Sequence, residues 1–239
     1  MSNRIMIKAE TTRGMARRLP PSGRPAHRLF ALASAAALAA LAGCAGSPQV
    51  RYYTLTTPVS VETAQAPAAV ADYAIEVMPV SVPAQVDQPQ LMLRSGSGEL
   101  TAQYSDRWSA PLPDELRNAL SDTLTRQLGA PDVHQLAPAA SLPVWRVQVD
   151  VQRFDASTTG PAVIDATWRV RPVQGEGGAM LCRNRVEVPV APGPGLDAVI
   201  VAEQQAVALL GRTIASAVQS QGRQAVAASD QVQAPRCTR

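Results

Sequence analysis

"VWRVQVDVQRF" (Val144–Phe154) alternates apolar and polar residues from Trp145 to Gln152. Trp145, Val147, Val149 and Val151 fall on one side of an extended chain, Arg146, Gln148, Asp150 and Gln152 on the other. A period of two residues is that of a half-buried β-strand. The pattern returns twice downstream. In "AVIDATWRVRPV" (162–173), Ile164, Ala166, Trp168 and Val170 oppose Asp165, Thr167, Arg169 and Arg171. In "MLCRNRVEVPV" (180–190), Cys182, Val186, Val188 and Val190 oppose Arg183, Arg185 and Glu187. Consecutive strands joined by glycine-containing connections predict an antiparallel meander with one apolar and one strongly polar face.

An apolar face needs a cover, and of the two helices predicted the second can supply it. Leu112, Leu116, Leu120, Leu124 and Leu128 recur every four residues. Pro113 suits a first turn, Asp114 and Glu115 suit the positive end of the helix dipole, and Gly129 closes the segment. A second helix, from about Leu196 to Gln219, carries Ile200, Val207, Leu210, Ile214 and Val218 as its stripe. Upstream, Arg51–Thr56 ("RYYTLT") and Tyr73–Val80 ("YAIEVMPV") read as short strands, and "QLMLRSGSGELTAQY" (90–104) as a hairpin turning at Ser95–Gly98. The fold class expected is α/β: a single domain with one mixed or antiparallel sheet and two main helices. Its bounds are residues 51–221, followed by an Ala/Gln-rich tail, 222–239, expected to be flexible apart from its cysteine. No internal repeat is present.

The N-terminal 43 residues belong to a different class of segment. They hold seven basic residues against the single acid Glu10, whereas Cys44 to Arg239 carries 15 basic and 18 acidic side chains. The basic balance of the whole chain therefore resides in the leader, and a nucleic-acid partner loses its electrostatic footing. Arginines, then the apolar run Leu29–Leu41, then "LAGC" have the order of a bacterial lipoprotein signal peptide over residues 1–43. Met15 offers a start with a more ordinary basic region. Cys44 is the lipidation site expected, carrying diacylglycerol and an N-linked acyl chain such as palmitate; several chains anchor where one does not. Residues 44–50 form the tether. Ala45 in place of an inner-membrane retention aspartate points to the outer membrane, facing the periplasm.

Chemistry-bearing motifs are sparse. His134, in "GAPDVHQLAP", is the one histidine after the leader, with no HxH, HExxH or CxxC nearby. The glycines at 175–178 lie between strands and do not form a phosphate cradle. No catalytic, cofactor or metal residues are assigned, and a non-enzyme is expected. Cys182 and Cys237 either pair in the oxidising periplasm or remain one buried and one free thiol. The arginine-bearing face of the meander is either a solvated surface or an interface.

Several stretches together give a resemblance: "GCAGSPQVRYYTL", "VMPVSVPAQVDQPQLMLRSG", "DRWSAPLPDELRNALSDTL" and "VQRFDASTTGPAVIDATWRV". They resemble the ABC-type transport auxiliary lipoproteins, the group containing paraquat-inducible protein C, from the lipobox to about Val170 and more loosely through the last helix. The chain departs from the usual pattern in "RWSAPL", where an acidic residue often precedes the proline, and in its Cys182/Cys237 pair. The resemblance implies a fold like the N-terminal domain of TolB. It also implies a non-enzymatic outer-membrane subunit of an intermembrane lipid transport system. Such a subunit docks a protein with mammalian-cell-entry (MCE) domains, supports envelope integrity and assembles as a homo-oligomer. Its most specific residues, Asp87, Pro89, Gln90, Arg107 and Trp108, are the candidate partner interface. Trp108 either stands exposed as an anchor or packs under the helix it precedes. The alternative function is a periplasmic lipoprotein that itself binds a lipid or small ligand. A hydrolase centred on His134 is a third and weaker reading.

Overall fold

The computed structural model describes residues 49–57, 70–96, 98–136, 142–174 and 176–238. Alternation produces long strands where it was read. β5 spans Val144–Asp155, β6 Ala162–Gln174 and β7 Met180–Val188, and the three pair antiparallel in chain order. The apolar residues of β5 and β6 are buried except Val173, near the end of β6, and Cys182, Val186 and Val188 of β7 are buried too. Within that buried row Asn184 takes one inward position and accepts a hydrogen bond from the Trp168 indole at 2.7 Å. A buried indole N–H needs such a partner.

The helices occupy the apolar side. α1 runs Leu112–Leu128 and α2 runs Asp197–Gln219. All five leucines of α1 at four-residue spacing are buried, each worth about 1.5–3 kcal/mol of transfer free energy. Gly129 ends α1 in the left-handed region, φ 64°, its N–H returning to Thr125 O. α1 packs against α2, α2 against β6 and β7, and α1 against β2, Ala74–Val77. The helices meet closely at Gly211, where a Cβ would lie 2.8 Å from Thr123 Cγ2. By length and composition α2 would suffice to cross a bilayer, but 67% of its most apolar window is buried in the domain; it is the central core helix.

The expected single sheet is two. β2 joins β5 in parallel, giving a five-stranded sheet of order β2-β5-β6-β7-β8, where β8 is Arg236–Thr238. A three-stranded sheet of order β1-β4-β3 is formed by β1 (Arg51–Tyr53), β3 (Gln90–Ser95) and β4 (Glu99–Trp108). Between the two sheets runs one isolated bridge, Leu93 to Ala156, with Arg94 N–H donating to Ala156 O at 2.9 Å. β4 interrupts its own ladder: Gln90 faces Arg107 while the next residue, Leu91, faces Gln103. Tyr104 lies in that bulge and is 76% exposed.

Two further expectations are corrected. The first strand stops at Tyr53, because Thr54 and Leu55 leave the ladder to bond Glu115. The tail after Gly222, expected to be flexible, runs back along β7. Gly222 makes the turn, at φ 72°, with a Cβ position only 1.9 Å from Gly178 O, so no other residue fits there. Val232 is then buried, Gln233 N–H donates to Arg185 O at 2.8 Å, and β8 pairs with β7. These backbone bonds and the buried valine hold what composition alone made appear loose.

Candidate functional site

Two buried carboxylates build the end of the domain where β1, β4 and α1 meet. Glu115, in the first turn of α1, accepts four hydrogen bonds. Thr54 Oγ1 (2.7 Å) and Leu55 N–H (2.9 Å) donate to one oxygen, Ser109 Oγ (2.5 Å) and Ala110 N–H (3.1 Å) to the other. The residue read as a helix-dipole acid is thus also the clamp that ties both β1 and the end of β4 to α1. Asp106, at 6% exposure, accepts from Arg51 Nε at 2.7 Å. That bond and the carboxylate's charge push the Arg51 guanidinium above its ordinary range. Burial pushes the Tyr53 phenol up in turn.

The register of this small sheet assembles the predicted interface. β1 pairs β4 in parallel with Tyr52 opposite Arg107, and Gln90 lies opposite Arg107 from the other side. Tyr52, Arg107 and Gln90 therefore form one row across three strands. The chain reaches Gln90 through a turn in which Val86 and Asp87 N–H both donate to Pro83 O, at 3.0 and 3.2 Å. Val86 is buried and pins that turn, leaving Asp87 and Pro89 exposed. Pro89 O accepts from Trp108 N–H at 3.0 Å, which locks the turn to β4. Gln90 and Arg107, seventeen positions apart in sequence, are thus neighbours, and exposed Asp87 and Pro89 lie in the turn that leads to Gln90.

Trp108 is not part of that surface. It is 6% exposed, with its ring 6.2 Å from that of Phe154 at a 55° tilt. Its apolar area is already used in the core, which leaves nothing for a partner to bury. The exposed aromatic of the patch is Tyr52, 66% exposed. Sequence reasoning read it only as a strand residue, since its neighbour Arg107 lies 55 positions away. Arg107 Nε is buried and makes no hydrogen bond among the described residues, an incomplete donor in the middle of the row.

The remaining candidates are dispersed. Cys182 and Cys237 are joined by a disulfide, opposite each other in the β7–β8 register. The bond fastens the end of the tail to the sheet. His134 follows the β2–α1 junction, where Asp132 takes Arg117 Nη2, Ser121 Oγ, Val77 N–H and His134 N–H. The imidazole itself makes none of these bonds, and its Nδ1 is buried without a partner among the described residues. The polar sheet face carries Arg146, Arg169, Arg171, Arg183 and Arg185 outward; Arg183 forms a two-pronged pair with Asp165, at 3.0 and 2.9 Å, and Arg146 meets Glu76 at 2.6 Å. Cys44, the tether to residue 48, the signal segment 1–43 and Met15 lie outside the described residues.

Comparison with known proteins agrees with this architecture. The fold matches the crystal structure of an uncharacterized protein with a TM-score of 0.55 and 20% identity, over 72% of this chain and 99% of that one. It also matches a Xanthomonas campestris protein of family DUF330, with a TM-score of 0.50 and 18% identity, over 72% and 97% of the two chains. Comparison with curated proteins gives no match. The family model of the ABC-type transport auxiliary lipoprotein component matches residues 53–215, which include β2 to β7 and most of both helices. The chain therefore belongs to the ABC-type transport auxiliary lipoprotein family.

Proposed function

We propose that this protein is an outer-membrane docking subunit of an MCE-type intermembrane lipid transport system, held at the periplasmic face by acyl chains on Cys44. It acts by position and catalyses no reaction. Acylation confines the domain to one membrane, and protein contacts hold the end of a periplasm-spanning conduit there, in support of envelope integrity. The observation that carries the reading is the row Tyr52–Arg107–Gln90 with exposed Asp87 and Pro89 beside it. It presents an accessible tyrosine beside a half-buried arginine, the residue types that dominate protein interfaces. β1 begins seven residues after Cys44, so a fully extended tether keeps the start of β1 within at most about 25 Å of the anchor point. Assembly as a homo-oligomer would repeat the row around a common axis and multiply weak contacts.

The test is crosslinking in intact envelopes followed by purification of this chain. An MCE-domain protein should be captured by the native chain and lost with Arg107→Glu or Tyr52→Ala, at unchanged thermal stability. Equal capture by both variants would remove the row from the interface, and a native chain that captures no MCE-domain protein would remove the function.

A further inference from the structure

The polar side of the five-stranded sheet ends in a cleft of about 290 Å³ between the β3–β4 hairpin and the β5–β6 turn. Arg94 from β3, Arg153 from β5 and Arg185 from β7 line it, and among the described residues the only lining carboxylate is Asp155. Asp155 is 3% exposed, and both of its oxygens are committed: one accepts from Arg94 Nε, the other from Arg153 Nε at 2.8 Å. One buried anion thus grips two guanidinium groups by their inner edges. Their terminal nitrogens make no hydrogen bond among the described residues. Arg185 is held the same way, through Nε, by Glu187 outside the lining.

The lining therefore carries three oriented cations and one carboxylate, and Glu187, paired to Arg185 just outside it, brings the balance to three against two, with Ser157 and Thr159 hydroxyls on the rim. Beneath Asp155 lies Glu203, fully buried, its carboxyl pushed up to about 8 by burial and then by the Asp155 charge. It is mostly protonated at pH 7 and offsets little of the positive charge. We propose that this cleft is a binding site for a phosphate group, carried by a phospholipid headgroup or by a soluble phosphate compound. Guanidinium forks match phosphate oxygens two at a time. Donors arriving from three strands suit a tetrahedral anion better than a planar carboxylate. The site is separate from the docking row and does not depend on it.

The test uses the chain with Cys44→Ser, so that acyl chains cannot carry it to membranes. Titration calorimetry with inorganic phosphate should give saturable binding, with acetate much weaker. Arg185→Gln, which leaves both Asp155 pairs intact, should weaken phosphate by at least about tenfold, the loss of one charge-assisted contact. Arg94→Gln should do the same where its circular dichroism spectrum remains native. Sedimentation with phosphatidylglycerol vesicles separates the two sources. Capture that inorganic phosphate displaces and Arg185→Gln abolishes identifies a headgroup; phosphate binding without capture identifies a soluble compound. No saturable binding in either assay, or binding indifferent to Arg185→Gln in a folded protein, overturns the proposal.

Discussion

Replacing Cys237 with serine should cost the domain most of the stability its disulfide supplies, without removing the tail from the sheet. The bond closes a loop with a sequence separation of 55 residues. The loop-closure relation gives about 14 cal/mol/K for that length, or about 4 kcal/mol at 25 °C, withdrawn from the unfolded ensemble. In the folded state little is regained when the bond is absent. Val232 stays buried, Gln233 N–H still donates to Arg185 O, and Asn184 Nδ2 still donates to Gln233 O at 2.9 Å. Only the last residues, which are exposed in β8, are freed to fray. The expected loss is therefore about 3–4 kcal/mol. Cys237 is the position to change, because Cys182 is buried in the core and its replacement would add a packing cost. The assay is guanidinium unfolding of oxidised native chain, reduced native chain and Cys237→Ser, followed by circular dichroism. Reduced chain and variant should coincide, both well below the oxidised form. A variant within about 0.5 kcal/mol of the oxidised chain would refute the reasoning, since the loop would then impose no constraint on the unfolded state.

Glu203→Gln should flatten the pH dependence of stability. The carboxyl titrates near 8 in the fold against a reference value of 4.5, so the folded state holds a proton that the unfolded chain releases. Its stabilising effect is complete below about pH 4.5 and is lost as pH rises towards 8, at roughly 1.4 kcal/mol per pH unit. Melting temperatures from pH 5 to 8 should fall more steeply for the native chain than for Glu203→Gln; parallel curves would show that Glu203 is charged in the fold. Glu115→Ala removes the acceptor of four donors and should destabilise the domain by about 3–5 kcal/mol, measured by the same denaturant unfolding. A loss below 1 kcal/mol would mean that water replaces the carboxylate without cost.

Most of the secondary structure was legible because its signal is local. The alternation of Trp145 to Gln152 and the leucine spacing from Leu112 to Leu128 involve neighbours two or four residues apart, and burial followed both. The candidate surface was legible only in part. Gln90 and Arg107 stand together, with Asp87 and Pro89 in the turn that leads to Gln90, but Trp108 turned into the core and Tyr52 took the exposed position. Alternation alone does not say which face of a short strand meets the core; that depends on the strand's partner. For β1 the partner is β4, 55 residues on, in a parallel pairing that no turn motif announces.

From sequence alone came the meander, the two helices, the family resemblance and the lipidation motif at Cys44, because each is written in residues close together along the chain. Tertiary structure alone decided that the strands form two sheets, that the tail is stitched to β7, and that Asp155 holds two arginines at the mouth of a cleft. Arg94 and Asp155 are 61 residues apart. Nothing short of the folded register brings such pairs together, since their contact is set by how strands and helices bury a shared core and not by any local preference of the chain.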